Sequence, residues 1–284
     1  MSLQTRRFAQ VDVFTAMALR GNPLAVVIDG EGLSDAAMAA FARWTNLSET
    51  TFILPPTDAA ADYRVRIFTP AGELPFAGHP TLGTAHCWLA NGGVPKTKGM
   101  LVQECGIGLV RVKRQADRNK ERLAFAAPAL RRSGPVEPEL HAQVLRSLRL
   151  SAEEVLDVQW VDNGPAWMAA RLKSAAAVLD LKPDFVAMQG LKLGVVGAYP
   201  SGSPQQFEVR AFVPDLGVPE DAVTGSLNAG LALWLQEAGL APAKYIAAQG
   251  AALSRAGRVH VQREGDEVWI GGDVTPMIEG VVRL

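Results

Sequence analysis

The chain has 284 residues, enough for one large domain or two of ordinary size. Lys and Arg total 28 against 29 Asp and Glu, and a net charge of −1 gives no pull toward nucleic acid or an anionic membrane. Two cysteines without a CxxC partner, Cys87 and Cys105, argue against a disulfide or zinc framework, and the absence of a long apolar run or signal-peptide core points to a soluble cytoplasmic protein.

In chain order, "RRFAQVDVF" alternates from 7 to 14 as a strand does, "LRGNP" reads as a turn, and residues 24 to 28 form a short apolar strand. A helix follows from Ser34, a good N-cap, with Ala37, Met38, Phe41 and Trp44 at helical spacing. "TTFILPP" and "YRVRIFTP" read as strands with Pro at their ends. Pro80 reads as the first residue of the next helix, which makes His79 its N-cap, and the helix runs to about Asn91 before Gly92-Gly93. Strands at "LVQECGIGLVRVKR" and "RLAFAAP" flank the charged turn "QADRNKE", the expected domain boundary. Helices are then predicted at "PELHAQVLRSLRL" and from Ser151. Strands are predicted at "DVQWVDNG", "AWMAARL", "LKLGVVGAYP" and "QFEVRAFVP", a long helix from Ser226 to about Ala238, and alternating strands and Gly-rich turns to the end.

Two stretches repeat. "G-HPTLGTAHCWLANG" lies over "G-SLNAGLALWLQEAG" with Gly78, Gly83 and Gly92 on Gly225, Gly230 and Gly239, and "YRVRIFTP" lies over "FEVRAFVP". The later copy carries three extra residues before its helix. Both helices are apolar nearly all round, so each is expected to be buried within a sheet-rich half. The first N–H groups of such helices favour anions, and if the halves face each other, both helix ends suit a small carboxylate.

The copies differ where chemistry is expected. The second has Ser226 as an ordinary N-cap, a role that competes equally with substrate contact, whereas the first has His79. Asp221, beside the insertion, can serve chemistry or simply complement the helix dipole. Glu49 in "NLSETTF" would not be selected from the sequence alone. His86 and Cys87 read as core; His141 and His260 have no metal-ligand spacing, so no metal is expected. No P-loop or GxGxxG follows a strand, so no phosphate or dinucleotide cofactor is expected, and "PSGSPQ" lacks the nucleophile-elbow pattern.

Taken together, "VDVFT", "GNPLAVV", "NLSETTF", "FTPAGELPFAGHPTLGTA", "VRAFVPDLGVPEDAVTGSLNAGLA" and "AGRVHV…GGDV" resemble the PhzF-like phenazine biosynthesis family of the diaminopimelate epimerase-like superfamily. The resemblance implies an α+β fold of two pseudo-symmetric halves, each a mixed, largely antiparallel sheet around a central buried helix, with a catalytic cleft between them and commonly a homodimer. It places the family's acid/base glutamate on Glu49, the histidine of its G-H-P motif on His79, and the aspartate and final serine of E-D-P-V-T-G-S on Asp221 and Ser226. Ala222 stands where the family has Pro, and Ser254 where it has Gly.

The expected halves are 1–116 and 117–272, with about 273–284 able to return to the first. The expected activity is a cofactor-independent isomerisation: Glu49 moves a proton between carbons of a small carboxylate-bearing substrate, His79 and Asp221 orient polar groups and assist, and N–H groups at Gly78, His79, Gly225 and Ser226 hold the carboxylate. An amino-acid epimerase or racemase and a noncatalytic small-molecule binder are the alternatives. Neither cysteine lies at a helix start, which disfavours two-thiol racemisation.

Overall fold

A computed structural model describes residues 3–117, 120–216 and 218–284. The chain forms two compact units, Met1–Ala126 with Gly271–Leu284, and Ala127–Ile270. The first contains β1 (Thr5–Val13), β2 (Asn22–Val27), α1 (Asp35–Thr45), β3 (Glu49–Leu54), β4 (Tyr63–Phe68), β5 (Glu73–Leu74), α2 (Gly78–Ala90), β6 (Met100–Cys105), β7 (Gly108–Asp117) and β8 (Lys120–Ala126). In the second follow β9 (Arg132–Pro135), α3 (Pro138–Leu148), β10 (Val155–Asp162), β11 (Met168–Leu172), α4 (Ala175–Leu179), β12 (Leu193–Ala198), β13 (Phe207–Phe212), β14 (Glu220–Asp221), α5 (Gly225–Glu237), β15 (Lys244–Gln249) and β16 (Gly257–Glu264). β17 (Glu267–Gly272) leads out of it, and β18 (Val274–Arg283) belongs to the first unit.

The two sheets have the same order. In the first, β18 and β2 flank β1 antiparallel, β2 and β3 are parallel across α1, β3 and β4 are antiparallel, β4 and β6 are parallel across α2, and β7 and β8 follow antiparallel. In the second, β9 and β11 flank β10 antiparallel, β11 and β12 are parallel across α4, β12 and β13 are antiparallel, β13 and β15 are parallel across α5, and β16 follows antiparallel. The short strands β5 and β14 extend the same ends of β4 and β13.

The division falls after Ala126 and not at 116, because β8 pairs with β7 from Val112↔Phe125 onward and completes the first sheet. The tip of the expected boundary turn, residues 118–119, lies outside the described residues.

Each unit buries its apolar helix. α2 packs on β1, β2, β3, β6 and β8, with Leu82 fully buried, and α5 packs on β10 and β16 with Leu227 fully buried. Each such leucine contributes roughly 1.5–3 kcal/mol. The repeat glycines permit the approach: a Cβ on Gly83 would lie 2.6 Å from Leu24 Cδ2, and one on Gly230 2.4 Å from the Val161 carbonyl oxygen. Gly92 and Gly239 follow the two helix ends at φ 89° and 69°, a region that favours glycine.

Three local expectations change. No helix starts at Ser151: its N–H and Oγ both donate to Glu154 Oε2, but this capping arrangement closes a single turn before the chain extends into β10. Trp44 is not in the core; it is 80% exposed and stacks on Phe41 at 5.9 Å. α4 and β9 have no counterpart in the sequence reading, being five and four residues long.

Candidate active site

Glu49 opens β3. α1 ends at Asn46 in the left-handed region (φ 54°), which turns the chain at once into the strand, and Thr45 Oγ1 fastens the corner to Thr50 Oγ1 at 2.9 Å. The Glu49 side chain is 13% exposed and His79 is 3% exposed; Oε2 of the first faces Nε2 of the second at 3.3 Å. This is longer than a tight charge-assisted bond of about 2.8 Å. Burial pushes the His79 imidazole down to about 3, so the ring is neutral at ordinary pH.

His79 is not the N-cap of α2. Ala77 is, extended at φ −150° and ψ 144°, and its carbonyl accepts the first intrahelical bond from Thr81. His79 is the second helical residue and Pro80 the third; proline is tolerated there because the N–H groups of the first turn have no helical partner. The turn is anchored by side chains: Thr81 Oγ1 donates to the Ala77 carbonyl (2.9 Å) and accepts from Gln103 Nε2 (3.0 Å), whose Oε1 accepts from Tyr63 OH (3.1 Å).

On its other nitrogen, His79 meets Asn22, the first residue of β2 and 1% exposed, with Nδ2 and Nδ1 3.2 Å apart. Asn22 Oδ1 accepts from Ser48 Oγ at 3.2 Å, the residue before Glu49. Asn22 is delivered by a fixed turn: buried Asp12 accepts from the Arg20 and Gly21 N–H groups at 2.8 and 3.0 Å. A Cβ on Gly21 would sit 2.3 Å from the Val13 carbonyl oxygen. "GNP" thus has a local physical reason, glycine for close approach and asparagine for the imidazole.

In the second unit, Asp221 ends β14 and accepts from Thr224 Oγ1 at 2.6 Å. Thr224, not Ser226, is the N-cap of α5, and its side chain caps no helix N–H. Ser226 is the second helical residue, as His79 is in α2; its Oγ accepts from Trp167 Nε1 (3.0 Å) and its carbonyl from Asn163 Nδ2 (2.8 Å). Gln249 accepts from the Thr224 N–H and from Asn228 Nδ2, and donates to Thr224 Oγ1. Gly78 and Gly225 are the first residues of their helices and are buried.

The structure therefore brings Glu49, Gly78 and His79 together in one unit, and Asp221, Gly225 and Ser226 in the other. Sequence reasoning missed Asn22, Ser48, Trp167 and Gln249, which support these residues. Their signal is spatial: the Asn22–His79 pair spans 57 positions. Cys87 lies inside α2, and burial pushes its thiol up to about 12. Among the described residues no group of three or more His, Cys, Asp or Glu is placed to hold a metal ion, and no helix is long and apolar enough to cross a membrane.

Comparison with known proteins finds relatives along nearly the whole chain. The chain is 34% identical over 287 residues to trans-2,3-dihydro-3-hydroxyanthranilate isomerase of Pseudomonas aeruginosa, covering 98% of this chain and 99% of the relative. It is 33% identical over 289 residues to antisense-enhancing sequence 1 of Schizosaccharomyces pombe, covering 96% and 97%. A crystal structure of a phenazine biosynthesis protein of the PhzF family from Enterococcus faecalis matches with a TM-score of 0.78, 26% identity and coverage of 99% and 100%. A hydroxyproline epimerase from Agrobacterium vitis shares the fold at a TM-score of 0.59 and 13% identity, covering 100% and 93%.

The duplicated fold and these relatives define an isomerase of the epimerase-like fold. The chain belongs to the PhzC-PhzF family of phenazine biosynthesis-like proteins, whose model matches residues 11–280.

Proposed function

We propose that the protein moves a proton between two carbons of a small carboxylate-bearing metabolite without a cofactor, with Glu49 as the acid/base group. The observation that carries this reading is the Glu49–His79 pair, a largely buried carboxylate whose neighbour is a neutral imidazole. A largely buried carboxylate beside a neutral imidazole is the kind of group that takes a proton from carbon and gives it back. In the reaction the substrate C–H breaks, the proton passes to Glu49, the double bond shifts, and the same proton or one exchanged with water returns to the distal carbon. Under this reading Asp221 orients polar substituents, and N–H groups at Gly78, His79, Gly225 and Ser226 hold the carboxylate.

Racemisation by two thiols has less support, because the second helical residues are His79 and Ser226 and the Cys87 thiol is buried with its pKa pushed up. The isomerase name of the Pseudomonas aeruginosa relative makes trans-2,3-dihydro-3-hydroxyanthranilate the first substrate to try. The test is Glu49→Gln, assayed with that compound and a panel of cyclic and amino-acid carboxylates in D₂O. The variant is expected to lose turnover and C–H exchange by about 10²-fold or more; full turnover overturns the assignment. Saturable binding by the native protein without exchange on any member would favour a noncatalytic binder. The reading includes the cytoplasmic homodimer that the resemblance implies, and light scattering checks the dimer.

A further inference from the structure

We infer that β18 is the surface through which two copies of the chain associate: its outer edge pairs antiparallel with β18 of a second copy about a twofold axis at Val281, so that the sheets of the two first units become one. The inference rests on the proposed reading only for there being a homodimer, and gives that dimer its surface. β18 is ten residues long and lies along β1. Ile278 is 52% and Val281 62% exposed, and Glu279, Gly280 and Arg283 are exposed beside them.

The backbone shows which groups of this edge are available. Gln4 and Leu284 exchange both backbone hydrogen bonds, at 2.8 and 3.0 Å, whereas Arg7, opposite Val281, gives its carbonyl to the Ile28 N–H on the other side of β1. Because bonded and non-bonded pairs alternate along an antiparallel ladder, Val282, Gly280 and Ile278 turn their N–H and C=O groups toward β1, as Leu284 does. Arg283, Val281 and Glu279 turn theirs outward. Pro276, which has no N–H, lies just before this stretch, where β18 shifts register on β1 between Gln10 and Val11. A regular edge with outward backbone groups and exposed aliphatic side chains is a template for another strand.

The strand that this edge fits is its own copy. A twofold axis at Val281 sets Val281 against the partner's Val281 and Glu279 against the partner's Arg283, and every outward N–H and C=O of these residues then meets its complement. Within one copy, Glu279 and Arg283 are four residues apart on an extended strand, about 13 Å, too far to meet. Neither has an ion-pair partner among the described residues. Across the axis they become cross-strand pairs of opposite charge, and on the other face Ile278 meets the partner's Leu284. A slip of two residues either way keeps outward residues opposite one another but separates Glu279 from Arg283, so charge selects the register. The face of Ile278 and Leu284 is the face of α1: Val282 and Leu284 pack with Phe8 against the cluster that contains Phe41, and the exposed Trp44 stacks on Phe41. Strand pairing carries this apolar face from one copy into the next.

The experiment is sedimentation equilibrium of the full chain at low salt. The native protein is expected to be a dimer. Glu279→Arg and Arg283→Glu are each expected to raise the dimer dissociation constant about tenfold or more, because each sets like charges face to face on both sides of the axis. The double variant Glu279→Arg with Arg283→Glu restores opposite charges and is expected to return to within about threefold of the native value. Amide hydrogen exchange supplies a readout that needs no variant: the Glu279, Val281 and Arg283 N–H groups are expected to exchange about tenfold or more slowly in the dimer than after dilution to monomer, while Gly280 and Val282, bonded to β1, stay protected in both. A native monomer overturns this surface together with the homodimer of the proposed reading. A native dimer that the single reversals leave unchanged, that the double variant does not restore, or whose outward β18 amides exchange freely overturns this surface alone.

Discussion

At the scale of single residues, the neutrality of His79 has a measurable consequence. Burial pushes its pKa from 6.5 to about 3. The unfolded chain therefore takes up this proton before the folded one does, and stability falls as pH drops from about 6.5 toward 3. The native protein is expected to lose about 2 kcal/mol from this group between pH 7 and pH 5. His79→Gln removes the titration, so urea midpoints measured at both pH values should differ less in the variant than in the native chain; an unchanged difference would mean that the imidazole is protonated when folded. The same residue marks the limit of reading a site from sequence. Pro80 signals a helix start, but not which residue of the first turn it occupies, and so His79 looked like a cap when it is the second helical residue. Glu49 sits among Ser48, Thr50 and Thr51 with no local sign of burial. Its surroundings come from Asn22 and His79, brought in from distant positions by β2 and α2.

At the scale of elements, the duplication predicts equivalent contacts with unequal energies. Arg66 of β4 reaches Glu73 of β5 at 2.5 and 2.8 Å, bonds Asp35 at the start of α1, and lies over Phe68 at 5.1 Å. Arg210 of β13 reaches Glu220 of β14 at 2.8 and 2.9 Å, bonds the Val178 and Leu181 carbonyls around the end of α4, and lies over Phe212 at 5.0 Å. Each arginine ties a strand, its short partner and the crossover helix. Only the second pair is fully enclosed, with side chains 6% and 5% exposed against 19% and 40% in the first. Glu220→Gln is expected to cost about 3 kcal/mol in chemical denaturation, because it removes the carboxylate charge that is paired with a buried guanidinium. Glu73→Gln should cost under about 1 kcal/mol, since Asp35 and water remain. The central helices give a second contrast. Gly83→Ala pushes on the flexible end of Leu24, whereas Gly230→Ala pushes on the Val161 backbone. The second is expected to cost about 1–3 kcal/mol more than the first, and a thermal shift that ranks them in the opposite order would contradict the rigid approach of α5 to β10.

At the scale of the whole molecule, the repeat was legible because glycines that allow close packing and a strand ending in Phe-x-Pro recur in order, and the order of the two sheets is the same. The short α4 and β9 were not, since five or four residues carry too little periodicity to register. Nor could spacing say where the second sheet obtains its first strand. In the second unit that strand is β9, which precedes β10 in the chain. In the first it is β18, which lies along β1 from Thr5↔Arg283 to Val13↔Val274 and arrives only after the second unit is complete. The first sheet thus takes its edge from residues at the far end of the chain, and loop closure on that scale adds to the entropic cost of forming this pairing. Truncation after Asp273 removes β18 and turns β1 from an internal strand into an edge. Hydrogen exchange of the truncated protein is expected to lose about tenfold or more of its protection in β1, β2 and β3, the strand that carries Glu49, while β10 to β13 keep theirs. Equal loss in both sets of strands would show that the units open as one cooperative body, and unchanged protection in β1 to β3 would show that β18 adds no stability to the sheet it closes.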